Sequence, residues 1–546
     1  HWDGYNDQAR DKVNTRVLVT PEIQVSKGIN TAPREEGLEE VLDILDGAMM
    51  GKECLIRFFS LGPTGGRFSL CALQLTDSSY VAHSEDILYR KGYEEFRNLS
   101  GSEDFFTFIH SAGRLDERKT TIDTDKRRIY VDLLDDKVYT VNNQYAGNSL
   151  GLKKLALRLA IFKANNEDWL TEHMLIMGVK PQGKDRTTYF TGAYPSACGK
   201  TSTAMIPGQS IVGDDIAYLR MDEMGDCRAV NIEQGVFGII KDVNPQDDPV
   251  IYETLTTPRE MIFSNVLIQE GKPYWINMGI PEEEYPKEGL NHIGQWKKGM
   301  KDETGKVVGV AHKNARYTIR IKELANADPN YNSPEGVVIE GILYGGRDSD
   351  TNVPISQALS WEHGVYMGAI IESETTSATL GQEGVRKSSP MAIMDFMVIP
   401  FGKYLGNHIK FGRRLRKPPQ VFSTNYFLKK EGEYTNLKVD KKVWLLWAEG
   451  RIHGEYEAIK TPIGYIPLYG DLRELFRTVF DREYSEKDYI EQFSVRVKKH
   501  LEKIARIEKI YQSEEEIPEV FWKIHKGIKE NLGELDGEEI PPDWFR

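Results

Sequence analysis

One stretch constrains this chain more than any other: Tyr189 to Ala217, YFTGAYPSACGKTSTAMIPGQSIVGDDIA. A short β-prone run leads into Pro195-Ser196-Ala197-Cys198-Gly199 and then Lys200-Thr201. A helix-compatible run, Thr201 to Ile206, follows, and a second apolar run ends in Gly213-Asp214-Asp215. The pattern predicts a strand, an anion-binding loop, a helix N-terminus and a strand that delivers two carboxylates. Such a loop turns successive backbone N–H groups toward phosphate, its lysine neutralises the β- and γ-phosphates, and its threonine hydroxyl can ligate a divalent metal. The strict phosphate-loop pattern also asks for a glycine at position 194, where this chain has Tyr194. A glycine turn before an ordinary helix would explain Gly-Lys-Thr by itself. The acidic pair so soon downstream favours the nucleotide reading, because a phosphate-bound metal needs a carboxylate at a strand end beside the loop.

The length of 546 residues suffices for two or more domains with sizeable cores. A formal charge of −13 argues against general nucleic-acid binding, which needs a basic surface. A local basic cleft can still hold a nucleotide. Cys54, Cys71, Cys198 and Cys227 are scattered with no CxxC, so the spacing offers neither a disulfide framework nor a zinc site. The expectation is a reduced, cytoplasmic setting, with no run of apolar residues long enough to span a membrane. The chain opens on His1, so the question of a targeting segment before it stays open.

Other stretches read as ordinary elements when taken alone. Val17–Thr20 is β-prone, and Leu38–Leu45 is amphipathic. Residues 53–81 are two β-rich runs around Gly62-Pro63-Thr64-Gly65-Gly66, and 127–141 is strand, turn, strand. Leu152–Asn165 is helical in pattern, with Lys153-Lys154 as a solvated pair, and His173 opens a strongly apolar run. Residues 373–381, SETTSATLG, are small and polar, and residues 486–546 have the charge-rich periodicity of amphipathic helices.

PSACGKT followed by VGDDIA resembles the nucleotide-binding region of the GTP-class phosphoenolpyruvate carboxykinases. So, in order, do YAGNSLGLKKLALR (145–158), WLTEHMLIMG (169–178), SPEGVVIEGILYGGR (333–347), ALSWEHGVYMGAIIESETT (358–376), FGKYLGNHI (401–409) and TPIGYIP (461–467). The matches cover nearly the whole chain. The resemblance implies a two-lobed α/β enzyme: a P-loop-containing carboxykinase fold with mixed β-sheets and an interdomain active-site cleft. Residues 1–168 would be the substrate-binding lobe and 169–546 the nucleotide- and metal-binding lobe, with a mobile lid near 373–381.

The reaction so implied is GTP + oxaloacetate ⇌ GDP + phosphoenolpyruvate + CO₂, by decarboxylation to an enolate on Mn²⁺ and in-line phosphoryl transfer. The implied Mn²⁺ ligands are Lys154, His173 and Asp215. A lysine ligand must be neutral, which requires a strongly lowered pKa. Mg²⁺ would accompany the nucleotide on Thr201. Ala197, Cys198, Gly199, Lys200, Thr201 and Ser202 would hold phosphates, and Cys198, beside a helix N-terminus, is a candidate for unusual reactivity. Arg316 would clamp the substrate carboxylate with Ser196, Asn314, Tyr145, Gly147, Asn148 and Arg10, the last with Arg16 as its rival. Arg347 would meet the transferring phosphoryl charge, although the family often has two adjacent arginines and this chain has Arg347-Asp348. Tyr426, Phe427 and Tyr434 match the aromatic wall around the base. The sequence then departs: the family's Pro-Gly-Phe-Gly-x-Asn segment is replaced by Leu437-Lys438-Val439-Asp440-Lys441-Lys442. A different phosphoryl donor (ITP, pyrophosphate or an adenine nucleotide) and a non-catalytic nucleotide-binding regulator are the alternatives. A monomer with small-molecule substrates, and no nucleic-acid or membrane partner, is expected.

Overall fold

The structure is a computed structural model. It describes the whole chain apart from residues 6, 9, 150–153, 197 and 376–383, and apart from the side chains of 148 and 149. Ala197, the Asn148 side chain and the 376–381 part of the expected lid therefore lie outside the described residues.

The chain divides into two compact units, His1–Lys163 with Val230–Gly336, and Ala164–Ala229 with Val337–Arg546. The first is built on an eight-stranded mixed sheet. Leu55–Leu61 and Leu70–Thr76 pair antiparallel, as the two β-rich runs around the glycine turn predict. Arg128–Asp132 and Lys137–Val141 form a second antiparallel pair. Helix Arg34–Leu45 starts with Glu35 and Glu36, which complement the positive end of its dipole, and buries Gly37 and Val41. Its apolar side meets Leu18, Tyr130, Tyr139 and Val141 on the sheet. A smaller three-stranded sheet, Gly235–Ile239, Arg316–Arg320 and Met261–Ser264, belongs to the same unit.

The second unit has an eleven-stranded sheet. Its middle strands, Thr188–Ala193, Val337–Gly345 and Gln420–Thr424, run parallel to one another. They are largely buried, as central strands of a covered sheet are. Helix Lys441–Ile452 supplies Trp444 and Trp447, both fully buried. Helices Val497–Tyr511 and Glu519–Gly533 are amphipathic and pack Val497, Ile504 and Leu532 into one cluster.

Candidate functional site

In the second unit, sheet register decides which residues meet. Thr188–Ala193, Val337–Gly345 and Gln420–Thr424 end level with one another, with Ala193 opposite Tyr344, and Tyr344 opposite Ser423. Their carboxyl ends deliver the Tyr194–Lys200 loop, Gly346-Arg347 and Asn425-Tyr426-Phe427 to a single edge. Met174–Val179 runs antiparallel to Thr188–Ala193, so its first residue faces Ala193 and His173 emerges at that same edge. Ser210–Gly213 pairs antiparallel with Met174–Val179, which turns Asp214 and Asp215 the same way. Residues far apart in sequence thus converge where open α/β sheets bind ligands.

The convergence is close. His173 Nε2 lies 3.0 Å from Asp215 Oδ1, and the Lys200 ammonium lies 3.0 Å from the same Nε2 while also pairing with Asp215 Oδ1. His173 Nδ1 is 2.8 Å from the Ala392 carbonyl. A carbonyl only accepts, so Nδ1 carries a proton, and Nε2 is the ring atom turned toward Asp215 and Lys200. A backbone carbonyl behind the ring is how metal-ligating histidines are oriented. The donor set suits a divalent metal: an imidazole nitrogen and a buried carboxylate, Asp215 being 5% exposed.

The loop itself turns on Gly199, whose φ of +98° favours a residue without a Cβ. A Cβ there would sit 3.2 Å from the Tyr426 ring. Helix Lys200–Ala204 follows directly. Its Thr203 hydroxyl donates to the Gly199 carbonyl at 2.7 Å. Tyr194 stands where a phosphate loop's first glycine would be, is buried, and stacks on Tyr426 with centroids 6.0 Å apart. Ser196 is exposed. Cys198, the candidate for unusual reactivity, follows in the same loop. It is buried beside the Ser373 hydroxyl at 3.0 Å, and burial pushes its pKa above the ordinary value, which disfavours thiolate.

Arg347 stacks over Phe427, 3.8 Å from guanidinium carbon to ring centroid, and Tyr434 meets Phe427 edge-on. Lys441, in the segment that departs from the family pattern, donates to the Ser202 hydroxyl at 2.8 Å. In the sequence this lysine stands out only as part of a departure from the family's Pro-Gly-Phe-Gly-x-Asn segment. The signal was a lysine at the N-terminus of a helix, which has no distinctive spacing. Among the described residues, Asp348, Asp350 and Glu374 form a further acidic group that could hold a cation. Their oxygens already pair with Arg386, which marks a structural ion cluster.

The first unit gathers its own candidates. Asn314 Nδ2 donates to the Tyr145 hydroxyl at 2.8 Å and to the Gln8 carbonyl at 2.9 Å. Its Oδ1 accepts two hydrogen bonds from Arg316, at 3.1 and 2.9 Å. Gly147 lies against the Tyr145 ring, where a Cβ would come within 2.5 Å. The amide of Tyr145 donates to Asp7 at 2.6 Å. The segment that carries Arg10 is therefore tied to Tyr145 and Asn314 through Asp7 and Gln8. Arg16 instead sits in strand Thr15–Val19, opposite Tyr130. Lys154 is half-buried just before helix Ala156–Glu167.

Comparison with known proteins agrees with this geometry. Residues 169–531 match the model of the phosphoenolpyruvate carboxykinase C-terminal P-loop domain, and residues 1–165 that of the phosphoenolpyruvate carboxykinase N-terminal domain. This chain belongs to the phosphoenolpyruvate carboxykinase family. Its relatives include proteins named phosphoenolpyruvate carboxykinase [GTP] from Pyrococcus horikoshii and Thermococcus kodakarensis. The first is 54% identical over 97% of this chain and 85% of its own length, the second 54% over 100% and 86%. One from Chlamydia pneumoniae is 35% identical over 85% of this chain and 78% of its own length. As a phosphoenolpyruvate carboxykinase family member the chain depends on divalent metal and acts on small molecules. No described helix is long and apolar enough to cross a membrane.

Proposed function

We infer that this chain is a GTP-dependent phosphoenolpyruvate carboxykinase, interconverting oxaloacetate and GTP with phosphoenolpyruvate, GDP and CO₂. The observation that carries the reading is the convergence of Lys200, His173 and Asp215 at the edge where the Gly199 loop and Arg347 also emerge. Phosphoryl transfer needs little covalent help from the protein, so positioning and charge are what such a site must provide.

The roles assigned residue by residue are these. Lys200 and the N–H groups around Cys198 and Gly199 hold the nucleotide phosphates, with Ser202 and the hydroxyl of Thr201 beside them. Arg347 offsets charge on the transferring group. Arg316, fixed by Asn314, donates paired hydrogen bonds to a substrate carboxylate with Arg10, Tyr145 and Ser196. Its tie to the Tyr145 segment supports Arg10 over Arg16. Tyr426, Phe427 and Tyr434 wall the base. His173 and Asp215, with Lys154, would hold Mn²⁺, whose positive charge favours an enolate over its keto form; Mg²⁺ would travel with the nucleotide. Residues 373–381 would be the lid that keeps water from the enolate, with 376–381 outside the described residues. Residues 1–168 act as the substrate lobe and 169–546 as the nucleotide lobe. The protein works as a monomer in a reducing cytoplasm.

The test is a coupled assay of oxaloacetate formation from phosphoenolpyruvate and CO₂ with GDP, IDP, ADP and inorganic phosphate as acceptors. GDP should support the highest kcat/KM, and IDP should follow closely because hypoxanthine lacks only the 2-amino group. A higher value for ADP or inorganic phosphate would overturn the donor while leaving the carboxykinase chemistry; no turnover with any acceptor would overturn the enzyme reading.

A further inference from the structure

Helix Val497–Tyr511 carries two buried polar side chains that the proposed chemistry does not use. Lys503 is 4% exposed and His500 7%. Both line a cavity of about 60 Å³, together with Ser356, Ser423, Glu372 and Gly346. Liquid water occupies about 30 Å³ per molecule, and drug-sized ligands need roughly 300 Å³ or more. The space suits a small ion rather than a drug-sized ligand.

The charges around it are unevenly matched. Among the described residues Lys503 makes no hydrogen bond or ion pair, and His500 Nε2 is buried without a hydrogen-bond partner. The carboxylates whose charge reaches Lys503 are Asp348 and Glu372. Both are engaged elsewhere. Arg506 holds the two oxygens of Glu372 at 2.9 and 2.8 Å. Asp348 accepts from Arg386 at 3.1 Å and from the backbone N–H groups of Thr351 and Asn352 at 2.9 and 3.1 Å. Burial lowers the Lys503 pKa, and the positive charges of Arg386 and Arg506 add to that. A buried ammonium needs a paired, hydrogen-bonding counter-charge, and the protein supplies none that is not already shared.

We propose that this cavity binds one small monovalent anion, of the halide or bicarbonate class, on the Lys503 ammonium and the His500 imidazole. The Ser356 and Ser423 hydroxyls line the same space and complete the set of donors. The position gives occupancy a structural effect. Gly345 and Gly346 in the cavity wall directly precede Arg347, and Glu372 directly precedes Ser373, which touches Cys198. A bound anion braces both segments from behind.

Crystals of the full chain grown in chloride and exchanged into bromide test this by anomalous diffraction. The expected result is a bromide peak within hydrogen-bonding distance of Lys503 Nζ, lost in Lys503→Met. In solution, the Tm of the wild type should rise saturably with chloride or bicarbonate, balanced against gluconate at fixed ionic strength, and stay flat in Lys503→Met. A larger rise with bicarbonate, or a bicarbonate response without bromide density, assigns the site to oxyanions. Should Lys503→Met not fold, the wild-type bromide map and the wild-type salt series still decide. A cavity holding only water in that map, with superimposed melting curves in all three salts, overturns the proposal.

Discussion

Replacing His173 with glutamine isolates the central contact of the site. The imidazole is 7% exposed, its Nδ1–H is held by the Ala392 carbonyl at 2.8 Å, and its ring meets Phe396 edge-on. Nε2 is therefore aimed at Asp215 by three constraints that a glutamine amide does not share. Losing a metal-site partner of this kind costs on the order of 10–100-fold in metal affinity or activity, or about 1.4–2.7 kcal/mol. The stability cost is smaller, about 1 kcal/mol for one buried hydrogen bond, against a total of roughly 5–15 kcal/mol. His173→Gln should thus stay folded, bind Mn²⁺ more weakly and turn over on the order of 10–100 times more slowly at limiting Mn²⁺. Added Mn²⁺ should restore part of the rate. The assay pairs initial rates over a Mn²⁺ series with electron paramagnetic resonance of free Mn²⁺ and a thermal melt. Unchanged Mn²⁺ binding and unchanged turnover at limiting metal would refute the assignment of His173.

Gly199→Ala forces a Cβ onto a left-handed residue and to within 3.2 Å of Tyr426; the strain, about 1–3 kcal/mol, should appear as a lower Tm and at least a tenfold higher KM for GTP. Lys441→Met removes the ammonium 2.8 Å from Ser202 and should raise the KM for GTP about tenfold, the worth of one charge-assisted hydrogen bond, with kcat little changed. A pH-dependent stability term is expected from His363, whose pKa burial lowers to about 4 in the folded chain, against about 6.5 unfolded. The fold favours its neutral form, so this stability is complete above about pH 6.5 and is lost as pH falls toward the folded value. Wild-type Tm should therefore drop more steeply over that window than the Tm of His363→Gln; parallel curves would count against the shift.

The local elements were largely legible because their signals are short-range. The run before Pro195 is strand Thr188–Ala193, the run before Asp214 is strand Ser210–Gly213, and the helix after Gly199 covers Lys200–Ala204. Position 38–45 lies within helix Arg34–Leu45, where the periodic apolar residues face the sheet. What local pattern could not provide is register. Nothing near His173 says that Met174 faces Ala193, yet that pairing brings the imidazole to Asp215. Resemblance supplied the grouping that periodicity lacked. The surroundings of Cys198 are not legible locally, because its burial beside Ser373 is a contact between residues far apart in the chain. Lys441 was passed over for the same reason, since its reach to Ser202 is tertiary.

The triangle of Lys200, His173 and Asp215 links two binding events. Lys200 occupies the same Asp215 oxygen that lies beside His173 Nε2, where an incoming cation would have to sit. Phosphate oxygens that draw Lys200 toward the Gly199 loop release that carboxylate, and a cation that takes the carboxylate releases the lysine. Each ligand then tightens the other by the same factor, because free energies around a closed binding cycle must sum to zero. Before either arrives, the buried Asp215 carboxylate is matched by the chain's own ammonium, so neither of these two charges waits unpaired.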